Sequence, residues 1–173
     1  MTPEYLVQEL KAAKEYFDRS TRCLSEADSQ FSPAAGTWTV AQQVAHAAQT
    51  VDWFFEGAFR PEGFSMDFDK HMAEVAEVRS LAAARAWLDR SFDQAAAQIE
   101  SRSAEELAQP LPAGIMEGMP RAAIVGAIVD HTAHHRGVLT VYSRLLGKVP
   151  AMPYMDMPAE EPAMPAASAE VTA

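Results

Sequence analysis

The chain reads as an all-α protein, a four-helix bundle, on three observations. Four segments carry apolar residues at the three- and four-residue spacing of a single helix face. Each opens at a residue suited to cap or start a helix, and no segment shows the period-two alternation of a half-buried strand. Such amphipathic helices bury their faces only against one another, and two longer connections among them fit a bundle better than an α/β domain.

The first helix is expected from Pro3 to about Asp28, with Thr2 as its cap, Pro3 in its first turn and Leu6, Leu10, Ala13, Phe17 and Leu24 along one face. Pro33 and Gly36 interrupt the pattern. Thr39-Val40-Ala41-Gln42 then has the form of a capping box, in which the two polar side chains satisfy the first free amides of a second helix. Its stripe is Val40, Val44, Ala47, Val51, Phe54 and Ala58, and Arg60-Pro61-Glu62-Gly63 ends it.

Residues 64–79 are read as a crossover with some helix, in which His71 is expected to be exposed. Ser80 caps a third helix carrying Leu81, Ala84, Leu88, Phe92, Ala95 and Ile99, expected to end near Ser103. Pro110, Pro112, Gly114 and Gly118 mark the second connection, and Pro120 stands as the first residue of a fourth helix closed by Gly147. Residues 1–155 are expected to form the bundle domain. Residues 156–173, rich in Met, Pro, Ala and Glu, are expected to be a disordered tail.

Composition limits the function. Fourteen Lys and Arg against twenty-four Asp and Glu give a formal charge of −10, which repels phosphate backbones and anionic bilayers, so neither nucleic acid nor membrane is an expected partner. No apolar run is long enough to span a bilayer, and the N-terminus lacks a basic region followed by an apolar one, so a cytoplasmic protein is expected. A single cysteine, Cys23, excludes an internal disulfide and a cysteine-rich metal site, and it reads as a small boundary residue. Glycine-rich phosphate loops and nucleophile elbows are missing from the sequence.

The informative cluster is His131-Thr132-Ala133-His134-His135, which holds three of the five histidines. Continuing the fourth-helix stripe from Ile124 and Ile128 in steps of three and four lands on His131, His135, Val138, Tyr142 and Leu145. Imidazoles four residues apart share a face and can chelate one ion, which would also relieve the cost of burying unsatisfied ring nitrogens. His134, turned about 100° from His135, reads as a surface residue or one behind the ligands, with a 131/134 pair as the geometric alternative.

The third ligand is expected to be His46, on a second-helix face shared with Gln42, Gln43, Gln49, Thr50 and Trp53. Three histidines and an open fourth position make the arrangement of a catalytic zinc site. Gln42, Gln43, Gln49, Trp53 and Tyr142 are the expected lining of the approach. Asp52 and Asp130 are the carboxylates a hydrolase would need as base, though neither lies on the ligand faces.

The run Asp130-His-Thr-Ala-His-His-Arg-Gly137, followed by Tyr142-x-Arg144-x-x-Gly147 and preceded by Trp38-Thr39 leading into His46, resembles the DinB/YfiT-like family over about residues 3–155. The resemblance implies an up-down-down-up four-helix bundle with a divalent metal, zinc or nickel, on His46, His131 and His135. It also implies a homodimer and a thiol-dependent S-transferase or isomerase in which a low-molecular-weight thiol attacks an electrophile. The alternatives are a non-catalytic stress-related bundle with a structural metal or none, and a metal-dependent hydrolase.

Overall fold

The computed structural model describes residues 2–156, and the expected tail lies outside them except for Asp156, which pairs with Arg22. The regular elements of the described residues are all helical, with no strand: α1 (Pro3–Thr21), α2 (Val40–Phe59), α3 (Phe68–Ala76), α4 (Leu81–Glu100), α5 (Ala104–Ala108) and α6 (Ala123–Leu145). The four long helices form the bundle, and α1 and α2 lie diagonally, each packed against both α4 and α6.

Cross-helix contacts give the directions. Tyr16 meets Arg136 and Cys23 meets Ser143, so α1 and α6 run parallel. Thr21 accepts from Arg85 while Lys11 pairs with Glu100, so α4 opposes α1. Asp52 meets Trp87 and Phe59 meets Arg102, which makes α2 parallel to α4. The order is up, down, down, up, as the family resemblance implied. Its consequence is that α2 and α6, distant in sequence, pack antiparallel with their middles at the same depth.

Start signals worked as read at three helices. The Thr2 hydroxyl caps α1, the Thr39/Gln42 box caps α2 on both sides, and Ser80 caps α4. Gly147, at φ 71°, closes α6 as a left-handed C-terminal glycine, with the Lys148 amide bonded back to the Ser143 carbonyl at 2.9 Å. The core is predominantly apolar: Leu10, Phe17, Val44, Leu88, Ile99, Ile128 and Leu139 are each at most 1% exposed. Such side chains contribute about 1.5–3 kcal/mol apiece over the exposed state.

Four expectations need correction. The first helix stops at Thr21, where Thr21 Oγ1 bonds back to the Phe17 carbonyl and Arg85 takes the Thr21 carbonyl; Ser25 and Asp28 then cap a separate 3-10 turn. The third predicted helix ends at Glu100, because Ser103 opens its own capping box for the short α5. The fourth begins at Ala123, since Pro120 is held in a bridge to Pro110 and the Arg121 and Ala122 amides bond back to Gln109 and Leu107. Its buried stripe is centred on Ile128, Thr132, His135, Leu139 and Tyr142, which leaves His131 at the edge and Leu145 60% exposed.

Candidate metal centre

The antiparallel register of α2 and α6 brings His46 beside His131 and His135. Their ring centroids are 5.0 Å apart for His46 and His131, 4.9 Å for His46 and His135, and 4.5 Å for His131 and His135. One ring nitrogen from each lies within 4.8 Å of the others, so the three can hold a metal ion. His134 is exposed and packs edge-on to His135, outside that group.

The tautomer of His135 follows from a short chain of hydrogen bonds that starts at a backbone carbonyl. The Tyr142 hydroxyl donates to the Trp38 carbonyl at 3.1 Å, so its oxygen accepts from Gln43 Nε2 at 3.4 Å. Gln43 therefore turns its Oε1 to His135 Nδ1, 2.6 Å away, and an amide oxygen only accepts. The proton sits on Nδ1, and His135 Nε2 presents a bare lone pair, 3.3 Å from His131 Nε2. That is the state a metal ligand needs, with its orientation fixed by a second group.

Electrostatics act in the same direction. Burial, chiefly, and then the neighbouring His131 and His134 hold the His46 pKa down at about 4. Burial, then His134, does the same for His131 at about 4, against the opposing pull of Asp130. For His135 burial and the imidazoles of His131, His46 and His134 bring it to about 3. All three rings are neutral at physiological pH and need release no proton to bind a cation. His46 Nδ1 is buried without a hydrogen-bond partner, an orphaned polar atom of the kind a metal centre tolerates.

A cavity of about 260 Å³ opens beside the cluster. Helix α2 contributes His46, Gln49, Thr50, Trp53 and Phe54, α6 contributes His131, and α3 covers it with Phe68, His71 and Met72. A larger groove of about 540 Å³ lies between α2 and α4 and contains none of the histidines. Volume alone would point to the wrong face.

The expected approach residues divide. Gln49 and Trp53 line the cavity, and the Trp53 indole also donates to the Ser65 carbonyl at 2.7 Å. Gln42 does not line it: Oε1 caps the Thr39 amide and Nε2 bonds the Ala76 carbonyl. Gln43 and Tyr142 do not line it either; they stand behind His135 as described. Asp52 points to α4, where it accepts from Trp87 Nε1 at 2.7 Å, and Asp130 is exposed.

His71, expected to be exposed, is half-buried over the cavity with its Nε2 buried and unpartnered. Trp38, whose ring centroid lies 4.3 Å from that of His46, also went unassigned. The signal for His71 was present as Asp67 before Phe68, Met72 and Val75, a cap and a three-to-four spacing that together specify α3.

The family model for the DinB superfamily matches residues 9–139. The chain belongs to the DinB superfamily. No curated protein matches it. Among solved structures, this DinB chain is similar in fold to YfiT from Bacillus subtilis, described as a probable metal-dependent hydrolase with an unusual four-helix bundle topology. The TM-score is 0.65 at 17% identity, covering 84% of this chain and 88% of that one. It is also similar to a mycothiol-dependent maleylpyruvate isomerase (TM-score 0.65, 14% identity), covering 80% of this chain but only 61% of the isomerase. The colibactin self-resistance protein ClbS, solved with double-stranded DNA, gives a TM-score of 0.64 at 16% identity over 83% of this chain and 96% of that one. No helix of the described residues is long and apolar enough to cross a membrane.

Proposed function

We propose that this DinB-superfamily chain is a metal-dependent enzyme of the thiol S-transferase type, holding zinc or nickel on His46, His131 and His135. The observation that supports it best is that three neutral imidazoles converge, two of them, His46 and His131, bordering a cavity, and that the cluster gathers no fourth protein ligand among the described residues. An ion bound there supplies Lewis acidity at an open position, where a thiol or water becomes more acidic.

The chain's own residues do the rest. Gln43 holds His135 in the right tautomer, Trp38 packs over His46, and α3 supplies one wall of the cavity. A low-molecular-weight thiol and an electrophile are the co-substrates of this reading, and a homodimer in the cytoplasm is its cellular form.

A hydrolase, the description given to YfiT, is the second reading. It is less favoured because no carboxylate among the described residues lines the cavity and Asp52 is engaged by Trp87. Duplex DNA, the ligand of ClbS, suits a chain of charge −10 poorly.

Elemental analysis of untagged protein, beside His46→Ala and His135→Ala, tests the centre. About one equivalent of zinc or nickel, lost in both variants, is the expected result. Conjugation of glutathione, mycothiol or bacillithiol to 1-chloro-2,4-dinitrobenzene then tests the transfer, and light scattering tests the dimer. Protein that takes up no metal under saturating supply overturns the reading.

A further inference from the structure

We infer that Gln49 is the residue of the centre that reads its thiol, hydrogen-bonding through its side-chain amide to an uncharged amide group that the thiol carries a few bonds from its sulfur. The thiol belongs to the reading above; the unpaired state of Gln49 does not depend on it.

Gln42, Gln43 and Gln49 of α2 are all buried, and the first two are engaged at both amide atoms. Gln42 bonds the Thr39 amide and the Ala76 carbonyl, and Gln43 bonds His135 and Tyr142. Gln49 is 6% exposed, yet its Oε1 and Nε2 have no hydrogen-bond partner among the described residues. Neither atom is sealed from solvent as His46 Nδ1 and His71 Nε2 are, and Gln49 lines the cavity. A glutamine held almost wholly inside loses its rotamer freedom, and here it gains no internal hydrogen bond in return; a leucine at the same place would cost the fold less.

Its position indicates what completes it. His46, Gln49, Thr50 and Trp53 follow at i, i+3, i+4 and i+7 on one face of α2, so Gln49 stands one turn from the histidine cluster, between it and the Trp53 indole. Side chains one turn apart start about 5–6 Å from each other, the reach from a sulfur held at the cluster to a group a few bonds along its own chain. No Asp, Glu, Lys or Arg among the described residues lines the cavity. Gln49 therefore offers a neutral donor and a neutral acceptor, and an amide is the group that answers both without bringing a charge to that wall. The cavity opens to solvent, so the remainder of a larger thiol, charged ends included, continues outward.

The test compares two uncharged thiols, N-acetylcysteamine, which carries such an amide, and butane-1-thiol, which does not. Binding is read from the thiolate-to-cobalt absorption of cobalt(II)-loaded protein. In Gln49→Leu the affinity for N-acetylcysteamine is expected to fall about three- to tenfold, the worth of one hydrogen bond, while that for butane-1-thiol holds or rises and cobalt uptake stays that of the parent. A second readout needs no ligand. The urea midpoint of metal-free Gln49→Leu is expected to equal or exceed the parent's, because an unpaired amide is removed, whereas loss of a structural amide would lower it.

Equal loss for both thiols overturns the pairing with an amide, and unaltered affinity for N-acetylcysteamine overturns the role of Gln49 altogether. A lowered midpoint, or a variant that does not fold, makes Gln49 structural, and loss of cobalt makes it a metal ligand instead. Protein that takes up no cobalt refutes the metal reading. Saturation-transfer NMR of N-acetylcysteamine with metal-free protein then decides Gln49 separately: transfer to the acetyl methyl that weakens in Gln49→Leu upholds its role, and equal or absent transfer overturns it.

Discussion

Replacing Gln43 by leucine isolates what the buried hydrogen-bond chain does for the centre. Gln43 is 7% and His135 5% exposed, so water does not replace the lost partner, and leucine has nearly the volume of glutamine. The substitution leaves His135 Nδ1–H without the acceptor it had at 2.6 Å, whereas Tyr142 keeps its own bond to the Trp38 carbonyl. One unsatisfied buried donor costs about 1–3 kcal/mol, which denaturant unfolding of the metal-free protein reads directly. Releasing the tautomer lets the proton move to Nε2, the nitrogen that must stay bare, and loss of such an orienting partner typically weakens metal affinity by about 10–100-fold. Chelator competition with zinc measures that loss. Gln43→Glu keeps an acceptor on Nδ1 and is expected to retain parental affinity or exceed it. If Gln43→Leu loses stability but binds zinc as the parent does, the tautomer argument is wrong and Gln43 is a packing residue. If Gln43→Glu binds as weakly as Gln43→Leu, acceptance at Nδ1 is not what Gln43 supplies.

Two further outcomes follow from the geometry. The three histidines have folded pKa values of about 3 to 4, below the unfolded value near 6.5, so the unfolded metal-free chain binds more protons between those limits. Stability is therefore full above pH 6.5 and falls as pH drops toward 4, by about 1 kcal/mol per pH unit for the deeply buried His135 and less for the half-exposed pair. Urea unfolding of the metal-free protein at pH 7.0 and 5.0 checks this, and a pH-independent midpoint would contradict it. Gly57→Ala drives a Cβ into the Phe64 ring, so Phe64 must shift and with it the loop whose Ser65 carbonyl holds Trp53. A loss of about 1–3 kcal/mol is expected in thermal unfolding, together with a change in Trp53 emission.

Three of the four long helices, α1, α2 and α4, were legible because each announces itself twice, by a cap and by a stripe, and both signals agree; α6 has no capping side chain and showed only its periodicity. The His46, His131 and His135 grouping was legible for a related reason: residues four apart on one helix must be neighbours, whatever else packs around them. What the sequence could not supply was the width of the buried arc of α6. A helix wedged between two others buries more than one stripe, so Thr132 and Leu139 are covered as completely as His135, and His131 moves to the edge where the cavity begins. The glutamines misled for another reason. Gln42 and Gln43 are adjacent in sequence, yet one closes a helix end and the other orients a histidine, because a turn of 100° per residue aims them at different neighbours. Only the partner surface distinguishes a capping amide from an orienting one.

Unsatisfied buried polar groups, taken together with the convergence of the imidazoles, make the physical case that the α2/α6 seam is a binding site. His46 Nδ1, His71 Nε2 and Thr132 Oγ1 are buried without partners on the three helices that meet there. Each costs free energy that a leucine or alanine at the same position would not. Ser91 Oγ, Arg102 Nε and Arg121 Nε are buried without partners elsewhere among the described residues. What sets the α2/α6 seam apart is that its imidazole nitrogens also converge, so that one cation can satisfy several of them at once. A cation on the imidazoles would thus offset the burial of His46, His131 and His135 together, whereas His71 lies outside the converging nitrogens and gains nothing from it.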